Sequence, residues 1–174
     1  MPKIIQNIRP KLLEEARRQI EENGYKETTV RSVAAALNIG LGTLYNYFDS
    51  KDMLVASFML EDWNKTVNSM KEELKNDSAH HQMLKTIFKG LREFSESHKK
   101  LFSDPSARKT FAHTMGERHP LLLTQISGLV LPIVSNTMVE NKKLLADFIS
   151  ESLLTWSATG KDYEDLEPIF NKLI

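Results

Sequence analysis

The chain has 174 residues, with 23 Lys and Arg against 23 Asp and Glu, so its formal net charge is zero. This balance excludes a histone-like polycation and an acidic, disordered tail protein. The absence of cysteine excludes disulfide scaffolds, thiolate zinc fingers, cysteine nucleophiles and iron–sulfur sites. A hydrophobic fraction of 41% is large enough for the chain to bury a core of its own.

The first twenty residues carry charges throughout, which is unlike a secretory signal peptide. The longest strongly apolar run, residues 128–134, is far too short to span a membrane. We therefore expect a soluble, cytoplasmic protein with no membrane partner.

Apolar residues recur at helical spacing along nearly the whole chain, and no alternating stretch indicates a strand. The pattern predicts an all-α protein. A first helix is expected from Pro10 to a stop at Asn23-Gly24. A second helix, capped by Thr28 or Thr29, should break at residues 38–40.

A third, short helix should hold Leu44 to Phe48, and Ser50 can cap a long fourth helix. Ser32 stands where an acidic residue would complete a capping box with Thr29, so the second helix is expected to be modestly less stable. The remaining pattern predicts a fifth helix over 84–94 and two further helices over 145–156 and 163–173. Between them, helices are expected to start at Asp104-Pro105 and His119-Pro120. A kink or break is expected at Pro132.

Residues 28–54 have the layout of a helix-turn-helix motif, in which two short helices are joined by a tight turn. Gly42 would let the backbone approach DNA closely, while Thr43, Tyr45 and Asn46 offer groups to base edges and thymine methyls. Tyr47 and Lys51 can donate to phosphates. On spacing alone the alternative stays open that these helices only cap a core, with Tyr45 and Tyr47 as packing residues.

The same segment resembles the DNA-binding domain of the TetR family of one-component transcriptional regulators. The resemblance covers about the first third of the chain. It is carried by Gly24-Tyr25, Thr28-Thr29-Val30, Val33-Ala34, the run Gly42-Thr43-Leu44-Tyr45-Asn46-Tyr47-Phe48, and Ser50-Lys51.

The resemblance implies a three-helix DNA-binding domain over 1–51 and a helical ligand-binding and dimerisation domain over 52–174. It implies a homodimeric regulator, in most cases a repressor, which leaves a near-palindromic operator in double-stranded DNA when a small, lipophilic effector binds. Neither enzymatic activity nor a cofactor is expected. The predicted DNA contacts are Thr29, Arg31, Leu41, Gly42, Thr43, Tyr45, Asn46, Tyr47 and Lys51.

Two positions depart from many relatives, which have Ser or Thr at the place of Gly40 and a basic or polar residue at the place of Leu41. Glycine is an acceptable N-cap, so the helix is expected to persist. Leu41 removes a phosphate contact or replaces it with an apolar contact to a thymine methyl. The operator sequence is therefore less transferable from relatives than the fold.

In the C-terminal domain, large apolar residues and one histidine are candidates for the effector pocket: Met59, Trp63, Phe88, Phe94, His98, Phe102, Phe111, Met115 and Trp156. Each of them can instead be ordinary core. The dimer surface is expected on the last two helices, from Phe148, Ile149, Ser152, Trp156, Ile169, Phe170 and Leu173. No histidine pair has metal-ligand spacing, so no metal site is predicted.

Two further function classes compete with this prediction. A small helical enzyme is disfavoured because the chain has no phosphate-binding glycine loop, no HExxH and no nucleophile-elbow motif. A protein-interaction module that kept a degenerate helix-turn-helix is favoured only by Leu41. The intact set of Thr43, Tyr45, Tyr47 and Lys51 argues against it.

Overall fold

In the computed structural model, residues 7–76 and 79–174 are described, except for the side chains of 109–118. Every regular element in those ranges is a helix, which confirms the all-α prediction. The helices are α1 (Ile8–Glu27), α2 (Val30–Ala36), α3 (Leu41–Tyr45), α4 (Lys51–Leu74), α5 (His80–Ser97), α6 (Lys99–Ser103), α7 (Pro105–Val130), α8 (Lys142–Ala158) and α9 (Tyr163–Leu173).

The chain packs as two compact units. The N-terminal unit comprises Met1–Asp62 and His98–Thr114, and the C-terminal unit comprises Trp63–Ser97 and Met115–Ile174. The helices α4 and α7 therefore contribute residues to both. The N-terminal unit is larger than residues 1–51, because the start of α4, α6 and the beginning of α7 belong to it.

The N-terminal unit is built on α1, which packs against α2 and α6, while α2 packs against α3. Such short helices are marginal in isolation, so an added layer of apolar surface is needed to hold them. The helix α6 adds Leu101 to that surface and was not predicted separately from the sequence. Buried apolar side chains of this unit include Leu12, Leu13, Ala16, Ile20, Val33, Ala34, Leu44, Phe48, Leu54, Val55 and Phe58.

The start of α2 corrects one sequence expectation. The Thr29 hydroxyl accepts a hydrogen bond from the backbone N–H of Ser32, and the Ser32 hydroxyl oxygen accepts one from the N–H of Thr29. This is a complete capping box, in which serine replaces the acidic residue. The serine side chain is long enough to return to Thr29, so α2 does not lack this stabilisation.

The turns on either side of α2 follow the predicted breaks. The helix α1 is interrupted at Gly24, where φ is +84°, and one further turn continues to Glu27. Asn38, with φ of +52°, turns the chain between α2 and α3. Glycine and asparagine adopt this left-handed conformation at little cost, so both breaks are encoded locally.

In the C-terminal unit, α5 packs against α8 and α9 around one apolar core. The predicted start at Asp104-Pro105 is confirmed, whereas the one at His119-Pro120 is wrong because Pro120 lies inside α7. As expected, α7 ends at Val130, just before Pro132. Within the described ranges, no helix combines the length and apolar character that crossing a bilayer requires.

Candidate nucleic-acid interface

The helices α2 and α3 form a helix-turn-helix with an apolar inner side and a polar outer side. Val33, Ala34 and Leu44 are buried against the N-terminal core. Tyr45 is 46% exposed, and its neighbour Asn46 is also exposed. The same short helix therefore anchors itself with Leu44 and presents the following two side chains outward.

The predicted DNA-contacting residues all lie on this motif or at the start of α4. Thr29, Arg31, Gly42, Tyr45 and Asn46 are exposed. A second group is half-buried and consists of Leu41, Thr43, Tyr47 and Lys51. No side chain fills the space around Gly42, since a Cβ placed there would meet no other atom within 4 Å. The outer face of α3 is thus unobstructed at the position where close backbone approach was expected.

Lys51 makes contacts within the unit that sequence reasoning did not anticipate. Its Nζ donates a hydrogen bond of 2.9 Å to the backbone oxygen of Tyr25 and lies 3.8 Å from the centre of the Tyr25 ring. Burial lowers the pKa of the Lys51 ammonium, although nearby carboxylates act in the opposite direction. Lys51 therefore links the start of α4 to the end of α1 within the protein itself.

The segment just after Gly24 is held from two further directions. The Tyr25 hydroxyl donates a hydrogen bond to the Asp52 carboxylate. The Asp104 carboxylate accepts a hydrogen bond from the backbone N–H of Lys26, and its Oδ1 also accepts from the N–H groups that open α7. These contacts hold the segment that leads from α1 into α2. No sequence pattern around Asp52 or Asp104 predicts that Tyr25 and Lys26 are their partners.

A cluster of charged and aromatic side chains joins α1, α4 and the start of α6. The Arg17 guanidinium makes two hydrogen bonds to the Asp62 carboxylate, at 3.1 and 2.8 Å. The buried His98 lies with its Nε2 3.2 Å from the same carboxylate, and its ring stacks on Phe58. His98 was predicted as an effector contact, and in this structure it takes part in this cluster.

The predicted effector residues are not brought together in one described cavity. Met59, His98 and Phe102 belong to the N-terminal unit, whereas Trp63, Phe88, Phe94 and Trp156 belong to the C-terminal unit. Trp63 is buried, donates from Nε1 to Gln125 and packs edge-on against Phe94. The side chains of the two remaining candidates, Phe111 and Met115, lie outside the described residues.

The predicted dimer residues separate into exposed and buried sets. Phe148 is 55% exposed and Ile169 is 51% exposed. Ser152, Trp156 and Leu173 are half-buried. Ile149 and Phe170 are buried in the core of their own unit, so they offer no surface to a partner. The helical period explains this correction, because Ile149 follows Phe148 directly and must point to a different side of α8.

Metal binding has no support from the described side chains, among which no three His, Asp or Glu groups lie together as ligands.

Comparison with known proteins identifies the family of this motif. Residues 12–58 match the model of bacterial regulatory proteins of the tetR family. The HTH-type transcriptional regulator UidR of Escherichia coli strain K12 is 29% identical over 70 residues, which are 40% of this chain and 36% of that protein. The match to this curated relative thus spans little more than a third of its length.

Two solved structures are similar over nearly the whole chain. The fatty acid degradation regulator FadR from Bacillus halodurans is 18% identical, with 95% of this chain and 93% of that chain covered and a TM-score of 0.62. FadR from Bacillus subtilis in complex with stearoyl-CoA is 20% identical, with 94% of each chain covered and a TM-score of 0.58. At such identities the likeness shows the fold. Residues 12–58 therefore form a helix-turn-helix domain of the tetR family of bacterial regulatory proteins, and the chain as a whole shares its all-helical fold with these solved regulators.

Proposed function

We propose that this protein regulates transcription by binding a near-palindromic operator as a homodimer, and that it is a repressor released by a small, lipophilic effector. The observation that carries the proposal is the two-sided α3, which is anchored by the buried Leu44 and presents Tyr45 and Asn46 outward. Exposed polar and aromatic side chains on a rigid short helix suit readout in a major groove.

Within the operator complex, the exposed groups have distinct roles. Gly42 admits the DNA backbone, and Thr43, Tyr45 and Asn46 contact base edges or thymine methyls. Arg31 contacts phosphate, which positions the motif without reading sequence. Thr29 is committed to the capping box, so its contribution to DNA binding comes through the orientation of the α2 N-terminus.

The effector proposal draws on the C-terminal unit and on one structural relative. The core of this unit is rich in large apolar side chains, among them Trp63, Phe88 and Phe170. FadR from Bacillus subtilis has been solved with stearoyl-CoA. Apolar side chains of this kind suit contact with a lipophilic effector, and a ligand shifts the DNA-binding equilibrium only through its different affinity for the two states.

The homodimer proposal rests on exposed apolar side chains of α8 and α9. Leu144 and Phe148 lie four residues apart on α8 and are exposed, as is Ile169 on α9. Apolar surface of this kind is typical of an interface core. A symmetric dimer would place its two α3 helices about 34 Å apart, which is one turn of DNA.

The deciding experiment is selection of the preferred duplex from a random pool with the purified full chain. We expect an enriched sequence with two related half-sites, and an affinity for this DNA that falls as the salt concentration rises. Absence of any sequence preference would contradict the proposal and favour the interaction-module alternative. The dimer is tested separately by sedimentation, where a mass near that of one 19.9 kDa chain at micromolar concentration would rule it out.

A further inference from the structure

Three side-chain nitrogens are buried without any hydrogen-bond partner in the part of the chain whose side chains are described. They are Nε and Nη2 of Arg92 and Nε1 of Trp156, all in the C-terminal unit. An unpartnered buried N–H is costly and rare in native proteins. All three atoms are hydrogen-bond donors, so any partner that they bind is a hydrogen-bond acceptor.

Both residues adjoin the connection between α8 and α9. The Lys161 ammonium lies 4.1 Å from the centre of the Trp156 ring, and the Arg92 Nη1 donates to Asp162 at 3.1 Å. Lys161 and Asp162 are consecutive in the chain, and they follow Gly160, which has a positive φ. Arg92 and Trp156 therefore each contact a residue of the same short connection.

Arg92 also lines a groove between α5 and the start of α9, with a volume of about 310 Å³. Lys85 and Lys89 line the same groove, and Glu164 is the one acidic residue among its lining side chains. Glu164 is engaged by Lys85 at 2.7 Å, whereas Lys89 lies 3.8 Å from Glu93. The side chains that line the groove therefore carry more positive than negative charges.

The Arg92 side chain is held in place by contacts that leave one edge unused. Its guanidinium lies 4.7 Å from the centre of the Phe88 ring, and Nη1 is bonded to Asp162. The remaining Nε–Nη2 edge has two parallel N–H groups, the arrangement that binds two oxygens of a carboxylate or phosphate side by side.

We propose that the α8–α9 connection borders a binding site for an oxyanion, a carboxylate or phosphate group. In this site the Nε–Nη2 edge of Arg92 and the Trp156 indole N–H donate to the oxygens, and Lys89 and Lys161 supply further positive charge. The group is either a free anion or the head of a larger, lipophilic molecule. The site goes beyond the proposed function, because DNA binding does not require an anion here, and it is tested without DNA.

The test follows the indole and guanidinium N–H signals of the full-length, ¹⁵N-labelled protein by NMR. The chain has only two tryptophans, and Trp63 already donates to Gln125, so its indole signal serves as an internal reference. Inorganic phosphate, acetate and decanoate are titrated separately at constant ionic strength and pH. We expect saturable shifts of the Trp156 Nε1–H and Arg92 Nε–H signals, with the Trp63 signal unmoved.

Two variants and one charge-matched control sharpen the test. Arg92→Gln should weaken anion binding by at least about tenfold, since charged hydrogen bonds are lost. Arg92→Lys keeps the charge but lacks the two-donor edge, so it should also weaken anion binding. This variant replaces Arg92→Gln in the test if Arg92→Gln does not fold. Lys75→Gln removes the same charge from an exposed ion pair with Glu72 and should bind the anion normally.

The three anions distinguish the two sources. Shifts with phosphate or acetate indicate a free anion, and shifts with decanoate alone indicate the head group of a lipophilic ligand. The proposal is overturned if no anion moves either signal, or if Arg92→Gln binds like the unmodified protein. It is equally overturned if the signals move with protein concentration in the absence of anion, because a second copy would then supply the acceptor.

Discussion

Both compact units bury an apolar core, but in the N-terminal unit half-buried charged groups also join distant segments. In the N-terminal unit, distant segments are joined by charged groups, such as Arg17 with Asp62 and Lys51 with Tyr25. In the C-terminal unit, a continuous apolar cluster extends from Trp63 on α4 to Phe170 on α9. Apolar burial is strong but non-directional, whereas charged hydrogen bonds fix orientation.

The difference suits what each unit has to do. The helices α2 and α3 have seven and five residues, and they bury few side chains of their own. Their orientation must nevertheless be fixed if Tyr45 and Asn46 are to meet base edges. Directional contacts at the end of α1 and the start of α4 provide that orientation where apolar area is scarce.

The largest effect is expected from a cavity in the C-terminal core. Leu153→Ala removes a side chain with no exposed surface and should lower the free energy of unfolding by about 2–5 kcal/mol. Denaturant titration at fixed protein concentration measures it. Leu121→Ala makes the same change at a side chain that is 55% exposed and should stay within about 0.5 kcal/mol. Equal effects in the two variants would mean that the apolar cluster is not what stabilises this unit.

A smaller loss is expected from the charged cluster of the N-terminal unit. Asp62→Asn removes the negative charge that pairs with the Arg17 guanidinium and alters the group that His98 contacts, and it should cost about 1–3 kcal/mol. The lower part of that range is favoured because the Arg17 and Asp62 side chains are 27% and 19% exposed.

Hydrogen exchange is the measurement for Asp62→Asn, and faster exchange should appear in amides of α1 and α6. Glu72→Gln breaks the exposed ion pair with Lys75 and should change stability by no more than about 1 kcal/mol. If the two variants behave alike, the cluster has no structural role beyond that of a surface ion pair.

Changes on the outer face of α3 should affect discrimination and not stability. Tyr45→Ala should reduce the preference for operator over random DNA by about 1–3 kcal/mol, because a base contact is lost. Arg31→Ala should instead weaken both complexes alike and reduce the salt slope by about 1, because a phosphate contact is lost. Competition binding at several salt concentrations separates the two. An unchanged preference in Tyr45→Ala would remove that residue from the proposed base contacts.

The smallest effect is expected at the carboxylate that opens α7. Asp104→Ala should cost about 1 kcal/mol, the usual value of an N-cap. Burial acts to raise the pKa of the Asp104 carboxyl, but hydrogen bonds from Ala107 and Ser106 and the N–H of Lys26 hold that pKa below its ordinary value.

The pKa of Asp104 is lower in the folded than in the unfolded protein. The carboxylate therefore contributes to the free energy of unfolding above the unfolded pKa of about 3.9, and this contribution is lost as the pH falls through the folded pKa. Unfolding measured between neutral and acidic pH should therefore show a smaller acid-induced loss in Asp104→Ala than in the unmodified protein. The same loss in both would show that this carboxylate is not linked to folding.

Much of the fold is encoded locally and was predictable from sequence. The capping threonine at residue 29, the glycine at 24 and the Asp104-Pro105 pair act on their immediate neighbours, so their effects follow from sequence alone. Pro120 was misjudged because a proline removes one helical hydrogen bond without always ending the helix.

Contacts between distant residues were not predictable in the same way. The partners of Asp62 are Arg17, which lies 45 residues away on α1, and His98, which lies between α5 and α6, and no local pattern connects them. Tyr45 and Asn46, which the sequence suggested as DNA contacts, are exposed beside the buried Leu44, and their contact with bases stays a prediction. Ile149 and Phe170 were expected at a surface because apolar character alone does not distinguish a core from an interface.

The division of the N-terminal unit into two stretches has a consequence for the order in which the protein is made. Met1–Asp62 is synthesised first, but His98, Leu101 and Asp104 follow only after 63–97 has been translated. At about 5–20 residues per second, that interval is on the order of seconds. During this time the nascent DNA-binding motif lacks the side chains that complete its unit, so its folding is post-translational or late co-translational despite its N-terminal position.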